Sequence, residues 1–138
     1  MILENKRIIR YLQCKQQAVN DILEHTNNLT FEEFVDNKAK RQATQLNFIL
    51  LGENAGKILA HEGVSDKAEE IFNLAKGMRN FIAHQYEDVN LMSVYATVKA
   101  DIPGLKHVLS DLIEEAIEKD SLLDGYEDNY EGDGMGMH

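Results

Sequence analysis

Apolar residues recur every three to four positions along most of this chain, which is the spacing of an amphipathic α-helix. Over residues 2–26 this recurrence predicts a first helix that ends near Asn27 and Asn28. The apolar positions that define it are Ile2, Ile8, Ile9, Leu12, Val19, Ile22 and Leu23. The same period continues from Asn37 to Ala60, where additional apolar residues widen the stripe. We expect this second long helix to be the most buried one.

Short polar motifs indicate where the helices begin. Thr30, with Glu33 three residues later, has the pattern of a capping box, which opens either a short helix or the first turn of a long one. Asp36 offers a second N-cap, and Ser65 or Asp66 offers a third. Each motif predicts that the chain enters a helix at that point.

The second half of the chain continues the helical pattern. An apolar face over residues 68–75 precedes Gly77, which we expect to interrupt the helix. Asn90 can cap the next helix, and Asp101 with Pro103 predicts a last helical start, because proline is tolerated in a first turn. No alternating strand pattern and no internal repeat occurs in the sequence. The predicted fold is therefore all-α, an up-and-down bundle of four to five helices.

Gly52 and Glu53 lie inside the stretch that predicts the second long helix. A glycine within an exposed helix costs about 1 kcal/mol relative to alanine, so its expected use is the close approach of a neighbouring helix. Glu53 has two interpretations. It is a catalytic carboxylate or, more commonly on a long helix, a side chain that is solvated or paired with an arginine.

Charge is distributed unevenly along the chain. Residues 111–138 carry ten acidic side chains and one lysine, a net charge of −9, so the first 110 residues carry −1 of the total of −10. A near-neutral domain of this kind can still contain a local basic cleft. Binding to nucleic-acid phosphates requires such a cleft. We expect a helical domain over residues 1–120, followed by an acidic, glycine-rich and disordered tail over residues 121–138.

Several classes of protein are disfavoured by the sequence. No run of about 18 apolar residues is present, which argues against a membrane-spanning helix. The first residues lack the basic and apolar regions of a secretion signal, so we expect a cytoplasmic protein without membrane association. Neither His-Glu-x-x-His nor Cys-x-x-Cys spacing occurs, and no glycine-rich phosphate loop follows a strand. We therefore expect neither a metal site nor a cofactor.

The most informative stretch for chemistry contains Arg79, Asn80 and His84. Arg79 is a permanent cation whose planar fork of donors suits phosphate, and His84 is the side-chain type that exchanges a proton near neutral pH. Asn80 and His84 are four residues apart, so they share one face of a helix. The structural alternative is a set of polar residues that complements the dipole at a helix C-terminus.

The order Arg-Asn-x-x-x-His-x-Tyr, from Arg79 to Tyr86, resembles the motif of the HEPN superfamily and specifically of HepT-like ribonuclease toxins. Two flanking stretches are also similar to that family. They are Leu51-Gly52-Glu53-Asn54-Ala55 and Asp101-Ile102-Pro103-Gly104-Leu105. The resemblance covers roughly residues 1–118 and implies the HEPN helical fold.

The resemblance also implies an activity, a metal-independent endoribonuclease that acts as a homodimer on RNA. Two copies of the motif would face each other across a cleft. His84 would serve as general acid or base, Arg79 would hold and neutralise the phosphate, and Asn80 would hold the histidine or the substrate by hydrogen bonding. One motif alone supplies one histidine, whereas the reaction needs both an acid and a base.

Tyr86 has a structural interpretation, as a partly buried aromatic residue, and a regulatory one. In HepT-like toxins the matching tyrosine accepts AMP from a cognate MNT-type nucleotidyltransferase, the MntA antitoxin. The resemblance therefore implies a toxin that is neutralised by adenylylation of Tyr86. The alternative is a non-catalytic HEPN subunit that binds a nucleotidyltransferase and presents its substrate, and a plain helical interaction protein is a third possibility.

Overall fold

The chain folds as a set of packed helices. A computed structural model describes the backbone of residues 2–53, 66–84 and 90–132, with side chains over most of these ranges. The helices are α1 (Ile2–Thr26), α2 (Phe31–Asp36), α3 (Lys38–Gly52), α4 (Asp66–His84), α5 (Leu91–Ala100) and α6 (Ile102–Gly132). No strand occurs in the described ranges, so the predicted all-α bundle is confirmed, with the short α2 bringing the described helices to six.

The predicted capping motifs are present at two helix starts, and at a third start the cap is shifted by one residue. The Thr30 side chain accepts from the backbone N–H of Glu33 at 3.1 Å, and the Glu33 carboxylate accepts from the Thr30 N–H at 3.0 Å, which completes the capping box of α2. Asn90 accepts from the N–H of Ser93 and caps α5. The cap of α3 is Asn37 instead of the predicted Asp36, because Asp36 is still the last residue of α2.

Three helices end or continue differently from the sequence prediction. The helix predicted to reach Ala60 stops at Gly52, because Glu53 has an extended backbone (φ −63°, ψ 139°). The predicted interruption at Gly77 is wrong, since α4 runs unbroken from Asp66 to His84. One exposed glycine destabilises a helix by only about 1 kcal/mol relative to alanine, which is too little to end it. The last helix continues to Gly132, so it includes residues that we expected in the disordered tail. The domain boundary at residue 120 stays a prediction.

One apolar core holds the helices together. Helix α1 packs against α3 and α6, and α3 also packs along α4. The fully buried side chains include Val19, Ile22, Phe34, Phe48, Phe72, Ile82, Val94, Val98 and Leu109. Burial of each such side chain contributes roughly 1.5–3 kcal/mol, so the core fixes where α3 and α4 lie relative to each other. Within the described residues, no helix is long and apolar enough to cross a bilayer.

Candidate active site

Helices α3 and α4 approach each other most closely at Gly52. A Cβ placed on Gly52 would overlap the Cβ of Arg79, and it would lie 2.7 Å from the Ala75 carbonyl oxygen and 2.9 Å from the Arg79 Cγ. These separations are shorter than any normal contact of a Cβ atom. The glycine therefore allows the approach of a neighbouring helix, as the sequence predicted, and the neighbour is the helix that carries the Arg79 motif.

Arg79 makes two side-chain contacts at this crossing. Its Nη2 donates to the Glu53 Oε1 at 3.4 Å, and its Nη1 donates to the Asn80 Oδ1 at 3.2 Å. The side chains of Arg79 and Glu53 are 37% and 46% exposed, so water screens their charges and the pair is worth at most about 1 kcal/mol. Of the two interpretations of Glu53, the structure shows the arginine-paired one.

The two contacts orient the guanidinium of Arg79 without enclosing it. An arginine side chain has five N–H donors, and the contacts to Glu53 and Asn80 use two of them. The side chain of Arg79 is 37% exposed, so part of it can be reached from solvent. Arg79 and Asn80, two of the predicted site residues, are therefore in direct contact.

His84 is the last residue of α4, and it follows Asn80 by four positions. That spacing places the two residues one turn apart along the helix. The side chain of His84, and Tyr86 as a whole, lie outside the described residues. The roles of His84, Asn80 and Arg79 in catalysis, and of Tyr86 as an AMP acceptor, stay predictions.

Lys15 is a contributor to this region that the sequence did not reveal. It lies on α1 and is 3% exposed, and its ammonium donates to the Leu50 carbonyl at 2.6 Å and to the Glu53 carbonyl. Burial lowers the pKa of Lys15, while Cys14 and Glu53 act in the opposite direction. No short motif marks such a lysine, because its partners are 35 and 38 residues away in the chain.

The Asp101–Leu105 stretch occupies a different part of the structure. Asp101 is the C-cap of α5 and has a helical backbone, and Ile102 and Leu105 at the start of α6 are buried in the core. The stretch lines a largely apolar groove of about 460 Å³, whose walls also include Leu74 and Met78 of α4. Its contribution in this structure is therefore to join α5 to α6.

In the part of the chain that the structure describes, no cluster of three or more histidine, cysteine, aspartate or glutamate side chains has the geometry of a metal site. The described side chains that contact one another at the α3–α4 crossing include one carboxylate, one guanidinium and one amide.

Comparisons with known proteins agree on one family. A family profile described as Ribonuclease HepT-like matches residues 15–112, which is more than half of the chain. A protein of Methanocaldococcus jannaschii, named as a candidate RNase, is 33% identical over 105 residues, covering 75% of this chain and 85% of that protein. A second candidate RNase of the same organism is 32% identical over 102 residues, covering 73% and 86%.

A further relative carries the family's own name. This protein of Thermococcus cleftensis, named as a candidate ribonuclease HepT, is 30% identical over 96 residues, covering 70% of this chain and 86% of the relative. No solved structure matches the chain significantly. The matched segment of the family profile includes Lys15, Gly52, Glu53 and the whole stretch from Arg79 to Tyr86.

Proposed function

Because this chain belongs to the HepT-like ribonuclease family, we propose that it is a metal-independent endoribonuclease that acts in the cytoplasm as the toxin of a toxin–antitoxin pair. The proposed catalytic residues are Arg79, Asn80 and His84. The proposed partner is an MNT-type nucleotidyltransferase antitoxin that adenylylates Tyr86.

The main observation in support of this proposal is that Arg79 lies partly exposed at the α3–α4 crossing. Glu53 and Asn80 accept hydrogen bonds from its two terminal nitrogens, while 37% of the side chain stays exposed. Here a pre-oriented cation faces solvent five residues before His84, the end of the same helix.

The reaction begins with the 2′-hydroxyl of RNA, which attacks the adjacent phosphorus after losing its proton to a base. The bond from phosphorus to the 5′-oxygen then breaks, and an acid gives that oxygen a proton. We assign the proton transfers to His84, because an imidazole can exchange a proton near neutral pH. General acid–base catalysis contributes roughly 10²–10⁴-fold. Arg79 neutralises the charge that develops on the phosphoryl oxygens.

One chain carries one copy of the motif, so the second proton-transfer group comes from a second copy of the chain. We propose a homodimer in which the α4 helices contribute Arg79 and His84 to one cleft. Asn80 contacts Arg79 within one chain. Its amide nitrogen has two further N–H donors for the histidine or for the substrate.

Adenylylation provides the proposed control of this activity. Tyr86 lies two residues after His84 in the sequence. Transfer of AMP to its hydroxyl adds a negative phosphodiester and a nucleotide next to the proposed cleft. That charge opposes the phosphates of RNA, and the nucleotide occupies the space that the substrate needs.

A cleavage assay with purified protein tests the proposed function. The wild-type chain should cut a fluorophore–quencher RNA equally well with and without EDTA. Arg79→Ala and His84→Ala should each reduce kcat/KM by roughly 100-fold or more, with helical content and melting temperature retained. His107→Ala, which removes an exposed histidine of α6, is the matched control and should cut RNA normally.

The same assay separates the proposal from its alternative. A folded wild-type chain that cuts no RNA but binds a nucleotidyltransferase would support the non-catalytic subunit. Loss of the melting transition in both Arg79→Ala and His84→Ala would indicate a structural polar cluster.

A further inference from the structure

Lys15 is a buried charge to which neither the family resemblance nor the proposed chemistry gives a role. The residue is 3% exposed, so little of its side chain contacts water. Burial of an ammonium is costly unless other groups replace the water that it loses. In this structure the replacements are the carbonyl oxygens of Leu50 and Glu53.

Both carbonyls belong to the end of α3. The last four carbonyls of any helix lack partners within the helix, and they carry the negative end of its dipole. Lys15 supplies donors and positive charge there. Because one carbonyl belongs to the final turn and the other to the residue after Gly52, the lysine also fixes the direction in which the chain leaves the helix.

Glu53 is consequently held at two points. Its carbonyl oxygen accepts from Lys15 on α1, and its carboxylate accepts from Arg79 on α4 at 3.4 Å. The extended backbone of Glu53 separates these two contacts, so a change in its direction would move the carboxylate relative to α4. Gly52 keeps α4 close enough for the second contact.

We propose that Lys15 is a positioning residue of the active site, which holds Glu53 from α1 and through Glu53 sets the orientation of the Arg79 guanidinium. The proposal rests on the proposed function of Arg79. It adds a third helix to the site, because the arginine on α4 then depends on a contact between α1 and α3.

Packing alone does not account for a lysine at this position. Methionine has a similar length and would bury without a desolvation penalty, and that penalty is visible in the lowered pKa of Lys15. What lysine adds over methionine is the pair of hydrogen bonds and the charge at the end of α3.

The decisive variant is Lys15→Met in the full-length chain, assayed for RNA cleavage. We expect kcat to fall by roughly tenfold to 100-fold, the size of effect that small misplacements of catalytic groups produce. KM should stay within about twofold, because a side chain that is 3% exposed does not contact the substrate. Lys15→Arg keeps the charge and the donors, and it should recover part of kcat.

Two control variants separate positioning from general damage. Val19→Ala truncates a fully buried side chain one turn later on α1, and it should lower the melting temperature while kcat at 25 °C stays unchanged. Lys119→Met removes an exposed lysine of α6 and should change neither quantity. If Lys15→Met does not fold, Lys15→Gln, which keeps a donor without the charge, replaces it in the same measurements.

A nuclear magnetic resonance measurement tests the positioning independently of activity. The Nε–Hε resonance of Arg79, identified by its disappearance in Arg79→Ala, should shift in Lys15→Met and stay in place in Val19→Ala and Lys119→Met. A wild-type chain that cut no RNA would overturn the proposed function. The Arg79 resonance would still test whether Lys15 positions the arginine. An unchanged Arg79 resonance, or a loss of kcat equal to that of Val19→Ala, would overturn the role of Lys15.

Discussion

The side chain of Arg79 packs so closely against Gly52 that no side chain fits on the glycine. A Cβ on Gly52 would overlap the Cβ of Arg79 and lie 2.9 Å from its Cγ. The contact sets the distance between α3 and α4 at the position where Glu53 meets the arginine. The geometry of the proposed site therefore depends on the absence of one methyl group.

Gly52→Ala should destabilise the fold and impair RNA cleavage together. The added methyl group meets the Ala75 carbonyl and the Arg79 side chain, and overpacking of this kind costs about 1–3 kcal/mol. Chemical denaturation measures the change in stability. The cleavage assay, performed far below the melting temperature, should show a lower kcat because Arg79 is displaced.

Gly77→Ala is the matched control for this prediction. Gly77 is an exposed glycine within α4, and apart from the adjoining backbone of α4 no described heavy atom lies within 4 Å of a Cβ placed there. Alanine should therefore stabilise the protein by about 1 kcal/mol through helix propensity. Equal effects of the two substitutions on stability would contradict the close approach of α3 and α4.

Glu53→Gln should alter activity more than stability. The partners of this ion pair are 37% and 46% exposed, so its loss should change the free energy of unfolding by less than about 1 kcal/mol. The guanidinium of Arg79 loses the charge that orients it, so we expect kcat to fall several-fold. Denaturation curves and steady-state kinetics on the same preparation measure both quantities, and a general base at Glu53 would instead give a loss of roughly 100-fold or more.

The protein should form a homodimer at micromolar concentration, and its specific activity should depend on that dimer. One chain carries one His84, whereas cleavage requires a base and an acid. Sedimentation velocity should give the mass of two chains, and activity per chain should fall on dilution as the dimer dissociates. A monomer that cut RNA at undiminished specific activity would refute the shared cleft.

Tyr86 should be the residue that receives AMP when the chain is incubated with ATP and a cognate nucleotidyltransferase. It lies two residues beyond His84, whereas Tyr11, Tyr95, Tyr126 and Tyr130 belong to other segments. Tandem mass spectrometry of tryptic peptides identifies the acceptor. Tyr86→Phe should keep much of the nuclease activity and escape neutralisation, because the acid–base scheme does not use the phenol.

Tyr95 provides an internal control for the modification. Its hydroxyl donates to the Leu29 carbonyl at 2.6 Å, and its ring packs against Phe31 and Phe34. Tyr95→Phe should therefore leave adenylylation unchanged. AMP found on Tyr126 or Tyr130 of a silenced nuclease, with an unmodified Tyr86 peptide, would exclude the proposed control.

Several features that depend on neighbours in the sequence were predicted correctly, although the cap at Asp36 and the interruption at Gly77 were not. The capping box of Thr30 and Glu33 and the cap at Asn90 involve groups three residues apart, and the helical period of α1 involves residues three and four apart. The family resemblance, which rests on short motifs, is confirmed by the match over residues 15–112. These features are local, so the order of residues is enough to specify them.

The arrangement around Arg79 was decided by the tertiary structure. The sequence suggested that Gly52 meets another helix, but its helical period did not show that α3 would end there. That end coincides with hydrogen bonds from Lys15 to carbonyls 35 and 38 residues away, and the Arg79–Glu53 contact spans 26 residues. Because propensity and periodicity report only on nearby residues, they carry no information on which buried charge meets which helix end. Packing of α1, α3 and α4 around the shared core settles those partners.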